Sequence, residues 1–80
     1  MSYELWLVIR RGSDFKRIHK VVARGTYLGR LETHPICLGD KAVSRTHAVI
    51  RKTRDGFVLE DLKSKNGTLV HGQRIQHHLL

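Results

Sequence analysis

The 80-residue chain holds one cysteine, one proline and one tryptophan, and seven acidic residues against fifteen Lys and Arg. With Cys37 alone, no internal disulfide can staple the fold, which fits a reducing interior better than a secreted mini-protein. An intracellular location, cytoplasmic or nuclear, is therefore expected. Long apolar runs are missing too: the longest, Leu5 to Ile9, has five residues, far short of the roughly 20 that a membrane helix needs. Glu4 ahead of that run and Arg10 and Arg11 behind it are wrong for a secretory signal. No stretch keeps apolar residues at helical spacing for three turns, which argues against a helical or mixed fold. The chain shows no repeat, linker or low-complexity tract. His19, His34, His71, His77 and His78 lack a compact ligand spacing with cysteine or carboxylate partners, so neither a metal site nor a cofactor is expected.

The shortage of acid leaves a net charge of +8, which favours a negatively charged partner. The basic residues are spread from Arg10 to Arg74 and mark no nucleic-acid stripe. Length sets the last bound. Residues 1–80 make a single domain, and a chain this small buries only about 60% of its unfolded surface, so its core is modest.

What is present reads as short strands punctuated by turns. Leu5 to Ile9 is rich in β-formers, and the polar stretch Arg11 to Asp14 reads as the turn after it. Phe15 to Val22 and Thr26 to Leu28 form two further strands around a turn at Arg24 and Gly25, and Ile36 to Leu38 is a small one before Gly39 and Asp40. The segments His47 to Lys52 and Phe57 to Glu60 flank Arg54, Asp55 and Gly56, and Asp-Gly between β-rich runs predicts a hairpin. Asn66 with Gly67, and His71 with Gly72, are turns on either side of a strand at Thr68 to Val70, with Arg74 and Ile75 following. Trp6, Phe15, Tyr27 and Phe57 read as core or sheet-face residues, and Cys37 as a small buried hydrophobe. The expected architecture is an all-β sandwich.

Three clusters fall between these strands and so on loops: Gly29 and Arg30, Ser44 to His47, and Asn66 to Thr68. Taken alone, each has a bland reading. Arg30 could be a stem lying on the surface, Ser44 a local turn former, and Asn66-Gly67 a plain hairpin turn. Together they offer what a phosphate ester needs, a permanent cation with a planar fork plus short directional donors. Asn66 adds an amide donor and a carbonyl acceptor, the pair that can grip a peptide main chain. His47, three residues after Ser44, has no orienting carboxylate or oxyanion motif in the sequence to make a nucleophile pair, so no enzyme is expected.

The order and content of Tyr27-Leu28-Gly29-Arg30, Val43-Ser44-Arg45-Thr46-His47-Ala48, Leu59-Glu60-Asp61-Leu62 and Ser64-Lys65-Asn66-Gly67-Thr68 through His71-Gly72 resemble the forkhead-associated (FHA) domain, a phosphothreonine-peptide-binding module. The resemblance implies a two-sheet antiparallel β-sandwich and a non-catalytic signalling adaptor whose partner is a phosphothreonine-containing protein or peptide. By resemblance, Arg30, Ser44 and its neighbour Arg45 meet the phosphate, and Asn66 meets the peptide backbone. Gly29, His47, Gly67 and Thr68 support the site. Lys65 departs from the small hydroxyl residue of many members, and its ammonium could reach the anion or point into water. After Ile75 the family continues with closing strands, so a sandwich shortened at its C-terminal end is expected, with an open sheet edge that could invite self-association. Two rival readings stand beside this one: a basic nucleic-acid-binding domain, and phosphate-independent assembly through the same fold.

Overall fold

The computed structural model describes residues 4–11, 14–22 and 24–80, and for residues 11 and 14–17 the backbone alone. Nine strands are present among them, with no helix. The first two, β1 (Leu5–Arg11) and β2 (Asp14–Val21), pair antiparallel as a separate ribbon, with Leu5 opposite Val21 and Val8 opposite Ile18. The expected turn at Gly12 and Ser13, and the side chain of Phe15, lie outside the described residues.

The main sheet has five strands. They are β3 (Thr26–Gly29), β4 (Ile36–Cys37), β5 (Ala48–Thr53), β6 (Gly56–Asp61) and β9 (His77–Leu79), in the order β4-β3-β5-β6-β9. A second ribbon pairs β7 (Thr68–Val70) with β8 (Gln73–Ile75). All pairings are antiparallel except β3 with β4, where Leu28 faces Ile36 in parallel register. Such a pairing cannot be closed by a tight hairpin, and residues 30–35 provide the crossover.

The central strand β5 explains why this is a layered sandwich. Ala48, Val49 and Ile50 are consecutive and all buried, so both faces of the sheet are covered at that strand. Ile36 and Val21 complete the buried apolar set, the hydroxyl-bearing Thr26 is buried with them, and the Thr26 Oγ1 accepts the Val22 N–H at 2.9 Å, tying the first ribbon to β3. Among the described side chains, the aromatic residues stay outside this core. Trp6 and Tyr27 are exposed sheet-face residues and Phe57 is half-buried. Cys37 is also half-buried rather than enclosed, because β4 is an edge strand, and its thiol donates to the Arg30 carbonyl at 3.4 Å.

Two turns show local chemistry deciding register. The hairpin between β5 and β6 forms where Asp-Gly predicts it, but Thr53 pairs with Gly56, so Arg54 and Asp55 make the loop and Gly56 opens β6 at φ +128°. Between β7 and β8, His71 (φ 51°) and Gly72 (φ 79°) are the two loop residues, and positive φ at both is what a type I′ hairpin turn requires. The last strand, β9, is absent from the sequence reading. Its residues are mostly polar, and it exists because β6 offers an edge on which Leu79 pairs with Val58 and His77 with Glu60.

Candidate anion-binding site

Topology brings the three clusters to one end of the main sheet. Leu28 is level with Ala48 across β3 and β5, and Ala48 is level with Asp61 across β5 and β6. The end of β3, the start of β5 and the end of β6 therefore lie side by side. The loops holding Arg30, Ser44 to His47, and Lys65 to Thr68 leave the sheet at these points.

Main-chain bonds lock the first two loops together. Arg30 N–H donates to Ser44 O at 3.0 Å, Leu31 N–H to Arg45 O at 3.3 Å, and His47 N–H to Leu28 O at 2.9 Å. This closeness explains Gly29. Its φ is ordinary, but a Cβ there would collide with the Arg45 carbonyl and crowd the His34 ring, so the position needs the missing side chain for approach and not for backbone angle. Gly67 is the opposite case, held at φ +83°, and its carbonyl is a bonding partner of the site.

His47 joins the second and third loops. Its Nδ1 accepts the Ser44 N–H at 3.1 Å, which leaves the proton of a neutral ring on Nε2, and that nitrogen donates to the Gly67 carbonyl at 3.0 Å. The imidazole acceptor is thus occupied by main chain, and Ser44 and His47 are not arranged as nucleophile and base. The Ser44 Oγ instead accepts the Lys65 N–H at 2.9 Å, and its own proton remains available to an incoming acceptor. The Asn66 Nδ2 donates to Ala42 O at 2.7 Å, closing the third loop onto the second. One amide proton and the side-chain carbonyl of Asn66 are left for a ligand.

Beneath these contacts lies a hub at Asp61, a residue of the Leu59-Glu60-Asp61-Leu62 motif. Buried Asp61 accepts the Ser64 N–H at 3.1 Å, the Ser64 hydroxyl at 2.5 Å and the Thr68 hydroxyl at 2.8 Å, and the His47 Nε2 is 4.0 Å away. Burial would raise the Asp61 carboxyl, but the Ser64 and Thr68 hydroxyls, the Ser64 N–H and nearby His47 together hold it below its ordinary value. Thr68 shapes the loop through this bond. The signal for the hub was an aspartate with a serine three residues on, a pattern in which a carboxylate caps its own turn. His34 was also missed as a brace: its Nε2 pairs with the Thr46 Oγ1 at 2.8 Å, and its ring stacks on Tyr27.

The loops enclose an open hollow of about 520 Å³. Arg30, Ser44, Arg45, Lys65 and Asn66 all line it, together with Lys41 to Val43 and Thr46. No acidic residue lines the hollow, and among the described residues none of its four cations joins an ion pair. Fixed cations, a free hydroxyl proton and a carboxamide around one concavity suit a multiply charged oxyanion attached to an extended chain.

The family model described as FHA domain matches residues 26–80. The transcriptional regulatory protein EmbR of Mycobacterium tuberculosis is 42% identical over 60 residues, covering 75% of this chain and 16% of the regulator. The chain therefore spans about a sixth of that relative's length. The structure of EmbR in complex with a low-affinity phosphopeptide superposes with a TM-score of 0.75 and 40% identity over 80% of this chain and 17% of that one. An FHA domain characterised for phosphothreonine-dependent interactions gives 0.86 and 31%, over 98% of this chain and 79% of that one. The FhaA FHA domain, complexed with the intracellular domain of another protein, gives 0.82 and 32%, over 94% and 80%.

Proposed function

The chain belongs to the FHA domain family, and on that ground we propose that it is a non-catalytic reader of phosphothreonine in an intracellular protein partner. The observation that supports this best is the convergence of Arg30, Ser44 and Asn66, from three separate loops, on one hollow without an acidic lining. In this reading the Arg30 guanidinium forks onto two phosphate oxygens, the Ser44 hydroxyl donates to a third, and Arg45 and Lys65 add positive charge at the rim. Asn66 pairs with the peptide main chain. Gly29, His47, Gly67 and Thr68 hold the loops. The regulatory role that a relative such as EmbR has as a whole protein reaches this chain only as a recognition step, whatever domain acts on it.

Charge-assisted hydrogen bonds net roughly 1.5–3 kcal/mol each, so three or four, less the cost of ordering the peptide, correspond to micromolar binding near −8 kcal/mol. The threonine methyl supplies about 0.8 kcal/mol, close to fourfold over phosphoserine, and any larger preference comes from rotamer and loop fit.

Fluorescence anisotropy with matched peptides tests the reading. The phosphothreonine form should bind, the unmodified form should not, and Arg30→Ala should lower affinity about 10- to 100-fold with an unchanged melting temperature. Equal binding of the unmodified peptide, or an Arg30→Ala variant that binds as the parent does, would overturn it. The net charge of +8 supports a weaker second reading, retention of nucleic acid, which predicts affinity falling steeply with salt. Assembly through a terminal strand of the main sheet, β4 or β9, is a third, and it predicts a molecular mass that rises with concentration.

A further inference from the structure

The longest apolar run of the sequence, Leu5 to Ile9, lies in β1, where successive side chains point to opposite faces. An unbroken run belongs to a strand covered on both sides, as in β5, where Ala48, Val49 and Ile50 are all buried. In β1 the cover is one-sided. Leu5, Leu7 and Ile9 are half-buried on the inner face, with Val21 of β2 buried opposite Leu5. Trp6, Val8 and Ile18, which pairs with Val8, are each more than half exposed on the outer face.

That outer face has the anatomy of a contact surface, an apolar centre with charged ends. Exposed Arg10 follows Val8 on the same side of β1, and at the other end Lys20 lies opposite Trp6. The Glu4 Oε2 accepts the Trp6 Nε1–H at 3.3 Å, and the Glu4 Oε1 accepts from the Lys20 Nζ at 3.0 Å. Covering the indole ring therefore strands no donor, and an exposed tryptophan with a satisfied N–H is a ready anchor.

Width and charge select the occupant. Two strands about 4.8 Å apart make a strip matched to one helix of about 10–12 Å diameter, and too narrow to seat a second sheet. A second copy of this chain would bring a net charge of +8 against +8. The acid of this face, Glu4, is already answered by Lys20, so Arg10 and the basic chain around it favour acid on the partner.

We propose that the outer face of the β1–β2 ribbon docks an amphipathic helix of a partner protein, with an apolar stripe over Trp6, Val8 and Ile18 and Asp or Glu along its flanks. The face uses none of the residues that line the hollow, so the inference stands apart from the phosphothreonine reading.

Trp6 is the single tryptophan of the chain, and its fluorescence reports on this face directly. Three helix-forming peptides without tryptophan serve as probes, each with leucines at helical spacing and with glutamate, glutamine or lysine on the flanks. The glutamate peptide should shift Trp6 emission to shorter wavelength, saturably, and bind at least about tenfold more tightly than the lysine peptide, with the glutamine peptide between them. Ile18→Thr, which keeps a β-branched residue at an exposed strand position, should weaken the glutamate peptide about fivefold. Arg10→Glu should shrink the preference for glutamate over lysine flanks below about threefold. Both variants should keep the circular dichroism spectrum and melting temperature of the parent. No Trp6 response to any peptide, equal binding of the glutamate and lysine peptides, or variants that bind as the parent does, would overturn the proposal. So would a shift produced only by vesicles of phosphatidylserine and phosphatidylcholine, which would make the face a lipid contact. A molecular mass that rises with concentration in the parent and not in Ile18→Thr would assign the face to a second copy and overturn it too.

Discussion

The loop end of the main sheet and the β1–β2 ribbon are built on opposite principles. The ribbon has its full ladder but little cover: Trp6, Val8 and Ile18 on one face are 54%, 52% and 55% exposed. Its Glu4–Lys20 ion pair is exposed on both sides. The loop end has almost no ladder, yet its three segments are tied by buried or half-buried polar groups, with Asp61 and His47 at the centre. Buried hydrogen bonds to a charged group are directional and costly to leave unmade, so they hold loop atoms to fixed positions in a way that nonspecific apolar contact does not. The phosphate recognition proposed for the loop end calls for that precision, and a structural ribbon does not.

This contrast can be challenged by substitution. Asp61→Ala should have the largest effect, because it strands the buried Ser64 hydroxyl and N–H and the Thr68 hydroxyl. The expected loss is about 2–4 kcal/mol of unfolding free energy by urea titration, with phosphopeptide affinity falling alongside. If Trp6→Ala on the ribbon cost as much, the two regions would not differ in kind.

Acid should reproduce a smaller version of the same loss. The folded Asp61 carboxyl lies below its ordinary value of 3.8, so the unfolded chain binds the extra proton first. The associated stability is fully present above that ordinary value and disappears as pH falls through the folded one. Urea midpoints measured from neutral to acid pH should drop at the acid end for the parent protein, and the drop should be shallower in Asp61→Asn. Parallel profiles would remove Asp61 from its central place.

The smallest effect belongs to the ribbon. The hydrogen bond from Lys20, helped by Trp6 and by the Lys20 charge, lowers the Glu4 carboxyl, but the group is fully in solvent. At physiological salt, Glu4→Gln should leave the urea midpoint unchanged within error, since exposed pairs are screened and flexible. A clear destabilisation would show that the ribbon too depends on fixed polar contacts.

Individual residues show how much could be read ahead of the structure. The β-rich run at Leu5 to Ile9 and the Asp-Gly, Asn-Gly and His-Gly turns locate strands, because β-propensity and positive φ are local preferences. β9 escaped, since a strand made of histidines and leucine at an edge is specified by its partner β6 more than by its own residues. The turn at Asp55-Gly56 is legible, but β6 starts at Gly56, one residue before the Phe57 that the sequence pattern predicts. In the site, Arg30, Ser44 and Asn66 are singled out by the motifs that resemble the FHA family, since each taken alone has a bland reading. Asp61 and His34 do not stand out, because what matters about each is the residue it faces.

The order of residues alone was enough to set the β class, the turns, the basic charge and the three clusters of cationic, hydroxyl and carboxamide side chains. These depend on backbone preferences and functional groups that each residue possesses wherever it is placed. The shared hollow, the tautomer of His47 and the Asp61 hub came only with folding. Each depends on strand register bringing together groups that are distant along the chain, and register is settled by the burial of β5 and its neighbours as one cooperative unit.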